Sequence, residues 1–299
     1  MALLIITTIL WAFSFSLIGE YLAGSVDSYF SVLMRVGLAA LVFLPFLRTR
    51  GQSPRTIVLY MLVGAMQLGI MYLLAFRAYL YLTVSEFLLF TVFSPLYFTL
   101  IYELLCGRKL RWGYLLSAAL AVLGAAIIRY DKVSDHFWTG LLLVQLSNLC
   151  FAIGMVGYKR LMEVRPMPQH NAFAWFYVGA FIVAVAAWFM LGNPQKLPTT
   201  TLQWSVLVWL GVVASGLGYF MWNYGATQVD AGTLGIMNNV HVPAGLLVNL
   251  AIWQEQPHWP SFISGALVIL ASLWVHRRWV APHSGQTAGD RRRGSAQSE

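Results

Sequence analysis

The sequence predicts an all-α polytopic membrane protein, with ten transmembrane helices as two inverted five-helix repeats. Three observations carry this expectation. Apolar residues make up 59% of the chain and charged residues 10%, against about 25% charged in a soluble domain. Ten segments are apolar and long enough to cross a bilayer as helix, which takes roughly 20 residues. Two of these segments are alike: Thr83–Leu105 (TVSEFLLFTVFSPLYFTLIYELL) and Ala231–Trp253 (AGTLGIMNNVHVPAGLLVNLAIW) each carry one proline in mid-segment, Pro95 and Pro243. The prolines lie 148 residues apart, and the same offset superimposes Ala78 on Ala226 and Arg129 on Arg277. A constant offset across three features indicates a duplicated module.

The ten predicted spans are 2–19, 28–46, 56–76, 83–103, 112–128, 139–158, 171–191, 204–223, 232–252 and 261–277. The first is apolar from residue 2 and has no basic leader, so it reads as a retained helix and not as a cleaved signal. It corresponds to the sixth, WAFSFSLIGEYL against FAIGMVGYKRLM. The third and eighth share small-residue faces, with Gly64 and Gly69 in one and Gly211, Gly216 and Gly218 in the other. Small residues let helices approach closely in lipid. Residues 1–128 therefore form the first repeat, 129–138 an outer linker and 139–278 the second repeat. Residues 279–299 are polar and are expected to be a disordered tail.

Lys and Arg set the orientation. With the N-terminus in the cytoplasm, the inner loops receive Arg48, Arg50, Arg55, Arg108, Lys109, Arg111, Lys159, Arg160, Arg165, Arg277, Arg278 and Arg291–Arg293, which is 14. The outer loops receive Arg77, Arg129, Lys132 and Lys196, which is 4. The bias places both termini inside. Five spans per repeat is an odd number, so the second repeat runs upside down. Inverted repeats are typical of secondary transporters, with the substrate near the midplane at the repeat interface.

The net charge of +8 belongs to these short loops and does not indicate nucleic acid. Cys106 and Cys150 are isolated, without metal or CxxC spacing, and read as packing residues. There is no HExxH, Walker loop or GxSxG motif, so neither an enzyme nor an ATP-driven pump is expected. No cofactor, metal or obligate protein partner is expected; the partners are a small solute and the bilayer.

Several polar residues lie at membrane depth. Arg35 sits about two turns inside the second span, where a charge costs roughly 2.5–3.5 kcal/mol on insertion scales. It has two readings: an anchor for a substrate carboxylate, which its bidentate fork suits, or a structural Arg paired with Glu86 or helix carbonyls. Glu86 opens the fourth span and is a helix-end charge, a coupling carboxylate or that partner. Asn238, Asn239 and His241 precede Pro243, which should kink the ninth span and expose backbone. They read as a substrate site or as interhelical glue. Gln145 and Asn148 share a face of the sixth span, and with Gln67 they are expected to line a polar pocket. Tyr72, Trp175, Tyr219 and Trp222 are candidate pocket walls, with Trp11, Phe15, Tyr79 and Phe93 as weaker ones. Asn223 and Tyr224, at the end of the eighth span, are candidates for an inner gate, and Pro95 and Pro243 for gating bends.

The joint placement of Arg35, the two prolines, Glu255 twelve residues after Pro243, and the small-residue starts at Ser117–Ala119 and Gly265–Leu267 resembles the drug/metabolite transporter superfamily, in its EamA-type ten-helix branch. The resemblance covers residues 2–278. One departure is Gly107, where the first repeat of that family usually carries an acid. The stretches GYFMWNYGATQVDAGTLGIMNN, HVPAGLLVNLAIW and NAFAWFY are similar to the biotin-transporting members of its carboxylate/amino acid/amine group. This implies uptake of biotin through the bacterial inner membrane by one polypeptide. Export of amino acids or related metabolites is the alternative within the superfamily.

Overall fold

The computed structural model describes residues 2–105, 136–229 and 248–254, with single positions at 120, 123, 238, 244, 245 and between 259 and 278. Most of the predicted spans 112–128, 232–252 and 261–277, and with them Asn239, His241, Pro243 and Glu255, lie outside the described residues. All regular structure among the described residues is helical. The helices are α1 (Ala2–Tyr21), α2 (Ser28–Phe43), α3 (Pro54–Ala78), α4 (Val84–Thr91), α5 (Ser94–Leu105), α6 (Phe137–Val164), α7 (Gln169–Leu191) and α8 (Thr201–Thr227). Seven segments among the described residues are long and apolar enough to cross a membrane, α4 and α5 counting together as one. They coincide with the first four and the sixth to eighth spans read from the sequence. The chain divides into two compact units, one of residues 1–98 and 134–256, the other of residues 99–133 and 257–299. The cavity described below belongs wholly to the first.

Local chemistry explains the helix starts. Asp27 accepts from the Phe30 N–H at 2.9 Å, and Ser53 caps α3 with Pro54 following it. Thr83 with Glu86, and Thr200 with Gln203, form reciprocal capping boxes. Each box satisfies amide groups that a helix start leaves bare. Gly24 (φ +73°) and Gly51 (φ +81°) turn the chain after α1 and before α3 in a backbone region that other residues avoid.

Close helix contact follows the glycines. A Cβ on Gly64 of α3 would lie 1.9 Å from the Phe176 carbonyl oxygen of α7. A Cβ on Gly179 of α7 would lie 1.9 Å from the Met61 oxygen of α3. The two backbones therefore touch through a reciprocal glycine pair, the packing that lipid favours.

Several departures from regular helix were not expected from the sequence. Residues Ala65–Ile70 of α3, Leu210–Leu217 of α8 and Asn249–Trp253 are π-helical. Another departure is the fourth span, predicted as one helix kinked at Pro95; it stops at Thr91 and restarts at Ser94. Pro95 has no N–H to offer the Thr91 carbonyl, and the Ser94 hydroxyl donates to that carbonyl instead, at 2.7 Å. The Phe90 carbonyl, also left bare by the break, accepts from Asn148 Nδ2 at 3.0 Å and Gln145 Nε2 at 3.3 Å. Side chains of α6 thus replace the missing backbone donors.

Candidate functional site

Residues of α1, α2, α3, α4, α6 and α8, together with Tyr79, Ser94 and Asn238, line a cavity of about 80 Å³. Its walls are mainly aromatic. Trp11, Phe151 and Tyr219 form one layer, with Trp11 and Tyr219 centroids 4.6 Å apart. Phe15, Tyr79 and Phe87 form another, with Tyr79 and Phe87 stacked at 4.3 Å. The Trp11 indole is fixed by donation to the Ala214 carbonyl at 3.0 Å.

Arg35 is the cation of this cavity. It is 3% exposed, and no acidic side chain among the described residues pairs with it. Its Nε donates to Ser215 Oγ and its Nη2 to the Tyr72 hydroxyl, both at 2.9 Å. Those two hydroxyls lie 2.9 Å from each other. Together they occupy one edge of the guanidinium as two carboxylate oxygens would. The plane also lies 4.2 Å from the Tyr72 ring centroid, a cation–π contact worth about 0.5–2 kcal/mol. Arg carries five N–H donors, so the Nη1–Nη2 edge still has donors to give. Glu86 accepts from the Thr83 N–H at 2.9 Å in the α4 capping box, whereas Arg35 donates to hydroxyls.

The π segment of α8 builds this arrangement. It presents Ser215 to Arg35, while the Ser215 and Gly216 carbonyls accept from the Tyr177 hydroxyl at 2.6 and 3.1 Å. Sequence reasoning missed both Ser215 and Tyr177. The signal for Ser215 was available, because the 148-residue offset maps Gln67 onto it. Both are fully buried within π segments.

The other predicted residues divide clearly. Tyr72, Tyr219, Asn148 and Asn238 line the cavity with Arg35. Asn238 is 1% exposed, and neither its Nδ2 nor its Oδ1 has a hydrogen-bond partner among the described residues. Gln145 stands behind Asn148, accepting from the Tyr97 hydroxyl at 3.1 Å. Trp222 backs Trp11 at 5.1 Å and points its indole at the Met155 sulfur. Trp175 lies apart from the cavity, where its indole donates to the Arg48 carbonyl. Tyr224 stacks on Phe220 at 6.0 Å. The side chain of Pro95 lies outside the described residues.

Gln67 and Asn223 also stand apart from the cavity, as a reciprocal amide pair at 2.9 and 3.1 Å with both residues fully buried. The pair ties α3 to α8. Replacing Gln67 by Leu alone is expected to lower stability by about 1–3 kcal/mol, because the Asn223 amide is then buried without a partner. The double variant Gln67→Leu/Asn223→Leu should recover most of that loss. Thermal unfolding of the two variants in detergent checks the difference.

A multi-pass helical protein with a buried cation that has no acidic partner among the described residues, set in an aromatic cavity, fits a transporter of small solutes. The chain belongs to the EamA-like transporter family, which it matches over residues 1–130 and 138–277. It is 81% identical over 299 residues, all of both chains, to the protein named biotin transporter in Escherichia coli strain K12. It is 54% identical over 279 residues, 93% of this chain and 97% of the other, to a probable biotin transporter of Pseudomonas aeruginosa. A solved crystal structure shares its fold with a TM-score of 0.65 at 16% identity, covering 92% of this chain and 95% of that one.

Proposed function

We propose that the protein takes up biotin across the bacterial inner membrane as a secondary transporter working by alternating access, with both termini in the cytoplasm. The observation that carries this reading is Arg35, a buried cation with an open donor edge and no acidic partner among the described residues. It awaits an anion. Biotin supplies a carboxylate for that edge, a ureido ring that both donates and accepts, and an apolar thiophane and valeryl chain. Asn238, with amide donor and acceptor both unpaired, complements the ureido group. Trp11, Phe151 and Tyr219 face the apolar part. In this reading Asn239 and His241, near Asn238 in sequence, share its end of the substrate.

The two five-helix repeats, in opposite orientation, are part of the proposal. It is supported by the two separate family matches, by the odd number of spans per repeat, and by Gln67 and Ser215 falling at one offset within π segments. The break before Pro95 then serves as one bend of the gating machinery, with Pro243 as its counterpart. Glu86 serves as a helix cap, while Gln67 and Asn223 hold α3 to α8 on the inner side.

Accumulation of radiolabelled biotin in cells unable to synthesise it, with and without the gene, tests the reading. Gene-dependent uptake at nanomolar biotin is expected. Equal uptake in both strains would overturn it.

A further inference from the structure

The cavity contains a second buried polar group that neither Arg35 nor the protein fold uses. Tyr79 is 6% exposed, lines the cavity, and its hydroxyl has no hydrogen-bond partner among the described residues. Its ring is held firmly, stacked on Phe87 at 4.3 Å and 18°, and Phe87 in turn packs on Phe15 at 5.9 Å. A hydroxyl both donates and accepts, and burying one unpaired is unfavourable. Phenylalanine would give the same stack without that penalty. Other tyrosines at this depth are satisfied: Tyr72 bonds Arg35 and Ser215, and Tyr177 bonds two carbonyls.

The position along α3 says what the hydroxyl meets. Tyr72 and Phe76 of α3 and Tyr79, which caps its C-terminal end in near-helical geometry, follow one stripe at spacings of four and three residues, and all three line the cavity. Arg35 sits at the Tyr72 end, with its guanidinium 4.2 Å from the Tyr72 ring centroid and 5.6 Å from that of Phe76. Tyr79 is seven residues beyond Tyr72, about 10 Å along a helix that rises 1.5 Å per residue. A solute held by its carboxylate at Arg35 and lying along this stripe passes Phe76 with its apolar middle. It then brings a polar group at its far end to Tyr79. Biotin has this layout, with its ureido ring at the far end of the valeryl chain.

We propose that the Tyr79 hydroxyl is a specificity-determining group that hydrogen-bonds the ureido end of the substrate, opposite the carboxylate pole at Arg35. The inference rests on the biotin reading and adds a residue and a direction to it. In the Tyr79→Phe variant, the KM for biotin uptake should rise about tenfold, the loss of one net hydrogen bond, with the maximal rate within about twofold. Inhibition of that uptake by octanoate, a carboxylate without a ureido ring, should keep its unaltered inhibition constant. Tyr79→Leu, which also removes the stack, should lower both the maximal rate and the amount of folded protein. Unchanged KM in Tyr79→Phe would overturn the inference alone, provided that the unaltered chain takes up biotin. Equal weakening of biotin and octanoate would also overturn it, by marking a merely structural role. No uptake by the unaltered chain would overturn the biotin reading and this inference together.

Discussion

Arg35→Gln is expected to reduce biotin uptake at least a hundredfold while leaving expression near normal. Glutamine keeps a donor for Ser215 or Tyr72, so the polar cluster can still close. What it loses is the charge and the open Nη1–Nη2 edge. Removing one partner of a buried charge-assisted pair costs about 2–5 kcal/mol, and tenfold in affinity corresponds to about 1.4 kcal/mol. Arg35→Lys should fall between, retaining the charge without the fork. A further comparison isolates the carboxylate. If Arg35 binds it, the unaltered protein discriminates strongly against biotin amide, and Arg35→Gln does not. Uptake kinetics in reconstituted vesicles give both numbers, and wild-type affinity in Arg35→Gln would remove Arg35 from the site.

Gly64→Leu should have the largest effect on folding. Even the Cβ of alanine would sit 1.9 Å from the Phe176 carbonyl oxygen, 2.5 Å from its carbon and 2.8 Å from its Cα. These are backbone atoms, so no rotamer change relieves the clash. The helices must separate, which also opens the Gly179–Met61 contact made from the other side. Overpacking a well-packed core typically costs 1–3 kcal/mol, and a backbone clash belongs at or above the top of that range. The expected result is loss of the monodisperse peak in size-exclusion chromatography. Gly24→Ala offers a contrast: nothing lies within 4 Å of its Cβ, and only its φ of +73° opposes the change, so a smaller loss is expected there.

The seven spans among the described residues were readable because apolar length is a requirement of the bilayer itself, written along the chain. Arg35 was readable for the opposite reason, as the one charge deep inside such a run. Its partners were not. Ser215 lies in Ala-Ser-Gly, a run that resembles simple packing, and only the π geometry turns its hydroxyl into a ligand for a guanidinium. The amides show a related gap. Gln67, Gln145, Asn148 and Asn223 were all recognisable as polar groups that need partners in lipid. Composition could not tell that Gln67 would meet Asn223, 156 residues away, or that Gln145 and Asn148 would meet a carbonyl freed by a proline. A side chain declares its need for a hydrogen bond locally, but the partner is chosen by packing. Pro95 likewise announced a disturbance. The break itself falls at Val92 and Phe93, upstream of it, because the carbonyls that lose donors precede the proline.

The π segment in α3 bears on angular phase. Each residue of an α-helix advances about 100° around the axis, and a π turn accommodates one residue more than an α turn. Every side chain beyond Ile70 is therefore set back by about one residue's rotation relative to an uninterrupted helix. Tyr72, Phe76 and Tyr79 face the cavity because of that offset. Straightening Ala65–Ile70 into regular helix with every residue kept would swing all three away together, whereas deleting a single residue there would remove the π turn and leave them facing the cavity. The π turn in this sense absorbs one residue without turning the cavity wall, and relatives one residue shorter between Ala65 and Ile70 should present the equivalent stripe of a regular helix to their solute.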